Sequence, residues 1–295
     1  MLIKLLPEFH EVKPHLFVLK LGIFTALVTI CILAILRAPG LWVLPAQFAL
    51  GVLFAHAVEL QHQCLHRTAF GQPKLDRFFG VILGLPMLVS YSHYRATHLR
   101  HHKLLGTPRN KEFFSYVRES FRSYFALLRQ AYSLRRYATV AQQMKAAILG
   151  QACGDADNSR EASNIRLEYR LAATLITAVV SGSVYFQSLL VVELWIAPLV
   201  LSAEAAHYLI ELPEHVGCDT TTRNIGKNTR TIRGSWWSFW LTNGNNFHAE
   251  HHWDPTIPNN WLPEVHPYVK PQLTVYETSY WVFYSGLVQS AKGQG

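Results

Sequence analysis

Eight histidines fall into three clusters whose spacing suits a metal. His62 and His66 stand four residues apart; His98, His101 and His102 form an H-x-x-H-H run, and His248, His251 and His252 form a second. On a helix, positions i, i+3 and i+4 share one face, so each cluster can aim two or three imidazoles at one point. Imidazole is the commonest metal ligand among side chains. Eight such nitrogens are too many for one ion and suit two. A further candidate is Glu211-Leu212-Pro213-Glu214-His215, where His215 supplies a ninth imidazole. Glu211, four residues earlier, is placed to reach the site directly or through water, or else to be a solvated helix end. His207 lies one turn deeper on the same face and is expected to fix a ligand's tautomer. Asn243, Asn245 and Asn246 either order the third cluster, bind a polar end of a substrate, or serve as turn residues. His10, His15 and His266 stand alone and read as structural.

Other metal chemistries fit less well. Cys31, Cys64, Cys153 and Cys218 are scattered without a C-x-x-C pair, which argues against zinc ribbons, cysteine-held iron–sulfur centres and disulfide frameworks. No stretch matches the H-E-x-x-H of metalloproteases, and soluble di-iron bundles rely on carboxylates. A site dominated by imidazole suits iron, copper or zinc. Two irons held by imidazoles beside a membrane suit the activation of dioxygen.

The elements that carry these clusters look membrane-bound. Half of the 295 residues are hydrophobic and only 16% are charged, against about a quarter in soluble domains. Residues 16–36 and 41–60 are apolar and long enough to cross a bilayer, with Lys20 near one end and a turn at Arg37-Ala38-Pro39-Gly40 between them. The second crossing delivers His62 and His66 just beyond its end. Phe78 to Tyr91 is too short to span and reads as interfacial or re-entrant. From Lys111 to about Met144 a basic, aromatic-rich stretch reads as amphipathic surface helices. A polar loop at 150–165 precedes crossings at 168–186 and 189–210. The rest is rich in Trp and Pro, with a surface helix expected at Tyr280 to Val288. The start shows no signal peptide.

The expected fold is therefore an all-α membrane protein of one domain, residues 1–295. About four transmembrane helices form two hairpins under a helical cap that carries histidine boxes 62–66, 98–102 and 248–252. Net charge is +8, and Lys and Arg crowd residues 95–170, which places both termini and every box in the cytoplasm. The basic residues lie beside apolar spans, so they are read as meeting membrane lipid, not nucleic acid.

The order H-x3-H, H-x-x-H-H, E-x3-H, H-x-x-H-H, with apolar hairpins between, resembles the membrane fatty acid desaturase and hydroxylase superfamily from about His62 to Pro258. Arg230-Thr231, the Trp-rich stretch, Phe247 to His252, Pro255 to Pro258 and Pro213 to Cys218 are similar to its bacterial branch, which implies a bacterial inner membrane. The resemblance implies two irons held by His62, His66, His98, His101, His102, His215, His248, His251 and His252, with dioxygen as co-substrate. Glu211 stands where some animal acyl desaturases have asparagine. The implied reaction is desaturation of a fatty acyl or similar aliphatic chain. Hydroxylation or ketolation of an alkyl, carotenoid or secondary-metabolite substrate is the alternative within the superfamily. No flavin or nicotinamide fingerprint is present, so electrons are expected from a separate ferredoxin, rubredoxin or cytochrome with its reductase, steered by the basic surface. A reading from another class is a membrane metal-binding or transport protein, which places ionisable groups well inside the spans. Lys20, His56, Glu59, Glu193, Glu204 and His207 are the few there, mostly near span ends.

Overall fold

The computed structural model describes residues 7–114, 131–132 and 134–292. Most of the basic, aromatic-rich stretch expected to lie on the membrane surface, including Arg118, Arg122 and Arg129, lies outside the described residues. The described part of that stretch ends in an amphipathic helix, Leu134–Ile148.

Helix α1 spans Pro14–Arg37 and starts with a proline, whose fixed φ suits the first helical turn. It stops before Ala38-Pro39, because a residue preceding proline is pushed out of helical geometry. Gly40, at φ +52°, turns the chain into α2, Val43–Leu65. Both helices are long and apolar enough to cross a membrane. Leu19, Ile30 and Leu36 of α1 are exposed along its length, as a lipid-facing side requires. Nothing in Gln61 to Leu65 breaks a helix, so α2 runs past the expected end at residue 60. His62 therefore rides on its last turn, and His66 caps it.

The short apolar stretch is broken, as its length requires. Helix α3, Pro73–Gly84, and a 3-10 turn at Leu85–Met87 bend by 99° into α4, Tyr91–Leu104. Leu88, with φ +56°, makes the corner, and Ser90 caps α4 by accepting from the His93 N–H. The Leu134–Ile148 helix is α5. Helix α6, Ser159–Tyr185, begins nine residues before the expected crossing at 168, because Asn158 caps it by accepting from the Glu161 N–H. The polar loop, expected to run to residue 165, ends at Asn158. The expected crossing at 189–210 is no uniform helix. Two π-helical segments, Val192–Ile196 and Leu199–Ala203, flank Pro198, whose missing N–H lets the ladder slip, and α7, Glu204–His215, follows. Gly51 of α2 meets this segment closely: a Cβ there would run into the Pro198 carbonyl oxygen and Ser202 Oγ. The remainder comprises α8, Ile225–Asn228; α9, Trp236–Leu241; α10, His248–Trp253; α11, Leu262–Val269; and α12, Tyr280–Lys292. An all-helical chain was expected, and one two-residue parallel pair, Thr231–Ile232 with Tyr276–Glu277, departs from it.

Polar ties fix these helices where apolar packing alone leaves them free to slide. The Gln61 side chain donates to the Gly80 and Val89 carbonyls at 2.8 and 3.1 Å, and Arg95 donates to the Leu65 carbonyl at 2.8 Å. The buried Glu168 carboxylate of α6 grips the start of α4, accepting from Ser90 Oγ (2.8 Å), Ser92 N (2.8 Å) and Ser92 Oγ (2.6 Å), and pairing with Arg77 at 3.2 Å. Glu168→Ala strands four donors. It is expected to destabilise the protein by on the order of 3 kcal/mol, read as a lowered thermal midpoint in detergent, with Glu168→Gln intermediate. An unchanged midpoint for the alanine variant would show that the carboxylate does not hold α4.

Candidate metal centre

Helices α2, α4, α7 and α10 bring all nine candidate histidines together, in two adjacent groups. In the first, His62 Nε2 and His66 Nε2 lie 2.8 and 2.9 Å from His98 Nε2. His251 belongs to the same group. His102 Nε2 joins it, 2.9 Å from His98 Nε2 and 3.1 Å from His251 Nε2. The second group is His101, His215, His248 and His252, with His215 and His248 Nε2 atoms 3.1 Å apart. Stacked rings of His102 and His252, with centroids 4.1 Å apart, join the two groups.

The H-x-x-H-H runs do not aim at one point. At about 100° per residue, positions i and i+4 differ by roughly 40°, while i+3 falls about 60° to the other side. So His98 and His102 serve the first group and His101 the second; His248 and His252 serve the second and His251 the first. Each run straddles both groups.

Outward-facing acceptors hold the second group's rings. His215 Nδ1 donates to the Asn228 carbonyl at 2.8 Å, His248 Nδ1 to Asn245 Oδ1 at 3.1 Å, and His101 Nδ1 to Asn110 Oδ1 at 3.0 Å. Those bonds place the proton on Nδ1 and leave Nε2 as a lone pair facing inward. Glu250, fully buried on the far side of α10, accepts from Thr231 Oγ1 and His266 Nδ1, both at 2.5 Å, and fixes the roll of that helix. His266, read as structural from the sequence, has this supporting role; His10 pairs with Asp254 at 3.0 Å.

The donor set fits metal ions. His215 and His248, with their Nδ1 protons committed outward, cannot hydrogen-bond each other, yet their Nε2 atoms lie 3.1 Å apart; His98 Nε2 lies within 2.9 Å of three other Nε2 atoms, more than one proton can bridge. Ligands about 2.1 Å from a shared ion at roughly right angles lie about 3 Å apart. His252 Nε2 is buried with no hydrogen-bond partner among the described residues. Burial, and next the neighbouring imidazoles, hold His248, His251, His252 and His66 well below the ordinary imidazole value, so each stays neutral and able to ligate. Between the groups lies a cavity of about 20 Å³, bordered by His62, His98, His101, His215, Glu211 and Glu214, room for about one water.

Glu211 and His207 are placed differently from the rest. Together with Glu59 of α2 they form a third group apart from the nine histidines, though Glu211 also borders the cavity. The spacing Glu59-x-x-His62 was a usable signal for Glu59. Asn245, besides holding His248, donates to Glu214 Oε1 at 2.5 Å; Asn243 donates to the Glu59 carbonyl at 3.1 Å, and Asn246 to the Ile232 carbonyl at 2.8 Å. All three asparagines thus order the loop before α10.

The two imidazole groups could each hold a metal ion, and the helix that carries His62 is long and apolar enough to cross a membrane. The chain belongs to the fatty acid desaturase family: the model of that description matches residues 19–284, from within α1 into α12. Comparison with curated proteins found no match. The family is one of oxidoreductases associated with a pair of irons.

Two outcomes test this geometry. Asn245→Leu removes the acceptor behind His248 and is expected to weaken metal binding at the second group by roughly 10–100-fold, leaving the first group's ion in place, by titration with metal analysis. In metal-free protein, the unfolded chain takes up protons below about pH 6.5 that the folded imidazoles refuse, so stability falls as pH drops from there. The thermal midpoint measured from pH 8 to pH 5 is expected to be level at first and then decline; a level profile throughout would contradict neutral, buried rings.

Proposed function

We propose that the protein is a membrane-bound, O2-dependent di-iron oxidase that introduces a double bond into a fatty acyl or similar aliphatic chain. The observation that carries this reading is the pair of buried imidazole groups meeting at one small cavity. His62, His66, His98, His102 and His251 would hold one iron, and His101, His215, His248 and His252 the other. When bound, the irons supply activation of dioxygen and removal of hydrogen from an unactivated C–H bond.

The chain's own residues exclude bulk water by burial, keep the imidazoles neutral, and set the rings' directions through Asn110, Asn228 and Asn245. Phe113 and Phe114 line the same cavity and give it an apolar side. An apolar groove bounded by Phe54, Ile82, Leu175, Val179, Leu190 and Trp195 suits a lipid-like substrate on the bilayer side. Whether a second hydrogen leaves or oxygen is transferred depends on placement of the substrate carbon, which makes hydroxylation the neighbouring outcome.

Among the described residues two helices, α1 and α2, are long and apolar enough to cross, and the bent pair α3–α4 would make a third; this reading keeps the four expected crossings, at 16–36, 41–60, 168–186 and 189–210. Helix α6, with 27 residues, reaches about 40 Å. The N-terminal stretch packs beside the boxes, through Phe9 on Trp261 and His10 on Asp254, and Tyr284 of α12 donates to the Leu209 carbonyl at 2.5 Å. These contacts support both termini and the site sharing one side, the cytoplasmic one by charge, where a separate ferredoxin, rubredoxin or cytochrome would dock. The test is product analysis in an expressing strain with such a donor. Loss of two hydrogens marks desaturation and gain of one oxygen marks hydroxylation. His251→Ala and His248→Ala are each expected to abolish product; a variant that keeps its oxidation activity would sink the reading.

A further inference from the structure

Glu59 of α2 and His207 and Glu211 of α7 form a buried group that the nine histidines leave unused. One carboxylate oxygen or ring nitrogen from each lies within 4.8 Å of the others. His207 Nε2 is 3.9 Å from Glu59 Oε1 and 3.6 Å from Glu211 Oε1, too long for hydrogen bonds. Two donors each about 2.1 Å from one ion, at tetrahedral or wider angles, stand roughly 3.4–3.9 Å apart, which is the spacing seen. Glu59 is 1% exposed, and its Oε2 has no hydrogen-bond partner among the described residues. A buried carboxylate oxygen without a partner is costly, and here it belongs to the residue that faces His207. Phe114 covers the imidazole, ring centroids 4.2 Å apart.

We infer that Glu59, His207 and Glu211 form a third metal site, distinct from the two imidazole groups, for a divalent first-row ion. Two carboxylates balance the charge of such an ion, and the mixed oxygen and nitrogen set suits Fe(II), Mn(II) or Zn(II). The ion would tie α2 to α7, the helices that also present His62 and His215, so its role is to pin those two helices together.

The test is metal content per chain in full-length protein purified in detergent and loaded with Zn(II), with anomalous diffraction at the zinc edge. Wild type is expected to bind about three ions, with a peak among the three side chains. Glu59→Gln and His207→Ala are each expected to bind about two and to lose that peak alone, while His98→Ala keeps it. A wild-type ratio of about two without that peak overturns the proposal. So does an unchanged ratio in both variants, or loss of the imidazole-group ions along with the third in both.

Discussion

Lone pairs that face one another are the constraint on which this structure rests. Nine imidazoles, seven of them buried, crowd together, and their ring nitrogens outnumber the hydrogen bonds they can make with one another. An unsatisfied buried polar atom costs about 1–3 kcal/mol, so the set together rivals the whole stability of an ordinary domain. Apolar packing alone cannot hold such an arrangement. The chain answers with bonds on the outer ring nitrogens, to Asn110, Asn228 and Asn245, and with buried carboxylates behind the helices, Glu168 under α4 and Glu250 under α10. Cations bound there would turn the inward lone pairs from a liability into a stabilising interaction.

Helical phase explains why two imidazole groups, and not one, follow from the H-x-x-H-H pattern. Three rings spread over about 100° of arc cannot converge on a point, but they can bracket two adjacent points. Two such runs packed against each other cross-link both points, so α4 and α10 each contribute to both groups. Movement of either helix would disturb both groups at once. The two groups are thereby coupled mechanically.

Much of this was legible in the sequence because ligand identity and helical spacing are local. The three boxes, His215, the two long apolar helices and the break after Phe78 all follow from residue type, length and period. What was illegible depends on tertiary neighbours. The acceptor for His215 is a backbone carbonyl, which any residue offers, so nothing marks Asn228 in advance. The grip of Glu168 on Ser90 and Ser92 spans more than seventy positions. His207 was expected to support a ligand; it lies 3.9 Å from Glu59 and 3.6 Å from Glu211, and the contact of α2 with α7 that brings Glu59 there is tertiary. The π-helical slip around Pro198 changes the phase of the segment leading into α7, which a straight helical wheel does not anticipate.

The membrane helices and the boxes are one mechanical unit, and Asn243 is where that is most visible. Its backbone sits at φ +49°, a left-handed position that asparagine tolerates better than most residues. Lys20, near one end of its span, turns toward the third box. It donates to Asn243 Oδ1 at 2.6 Å. The same amide donates to the Glu59 carbonyl at 3.1 Å and to Gln63 Oε1 at 3.0 Å, while the Asn243 carbonyl accepts from Asn259 at 2.7 Å. One side chain therefore joins α1, the histidine-bearing end of α2 and the turn that launches the third box. A tilt of either apolar helix reaches His248, His251 and His252 through this joint, so the packing of the long helices and the geometry of the imidazole groups are set together.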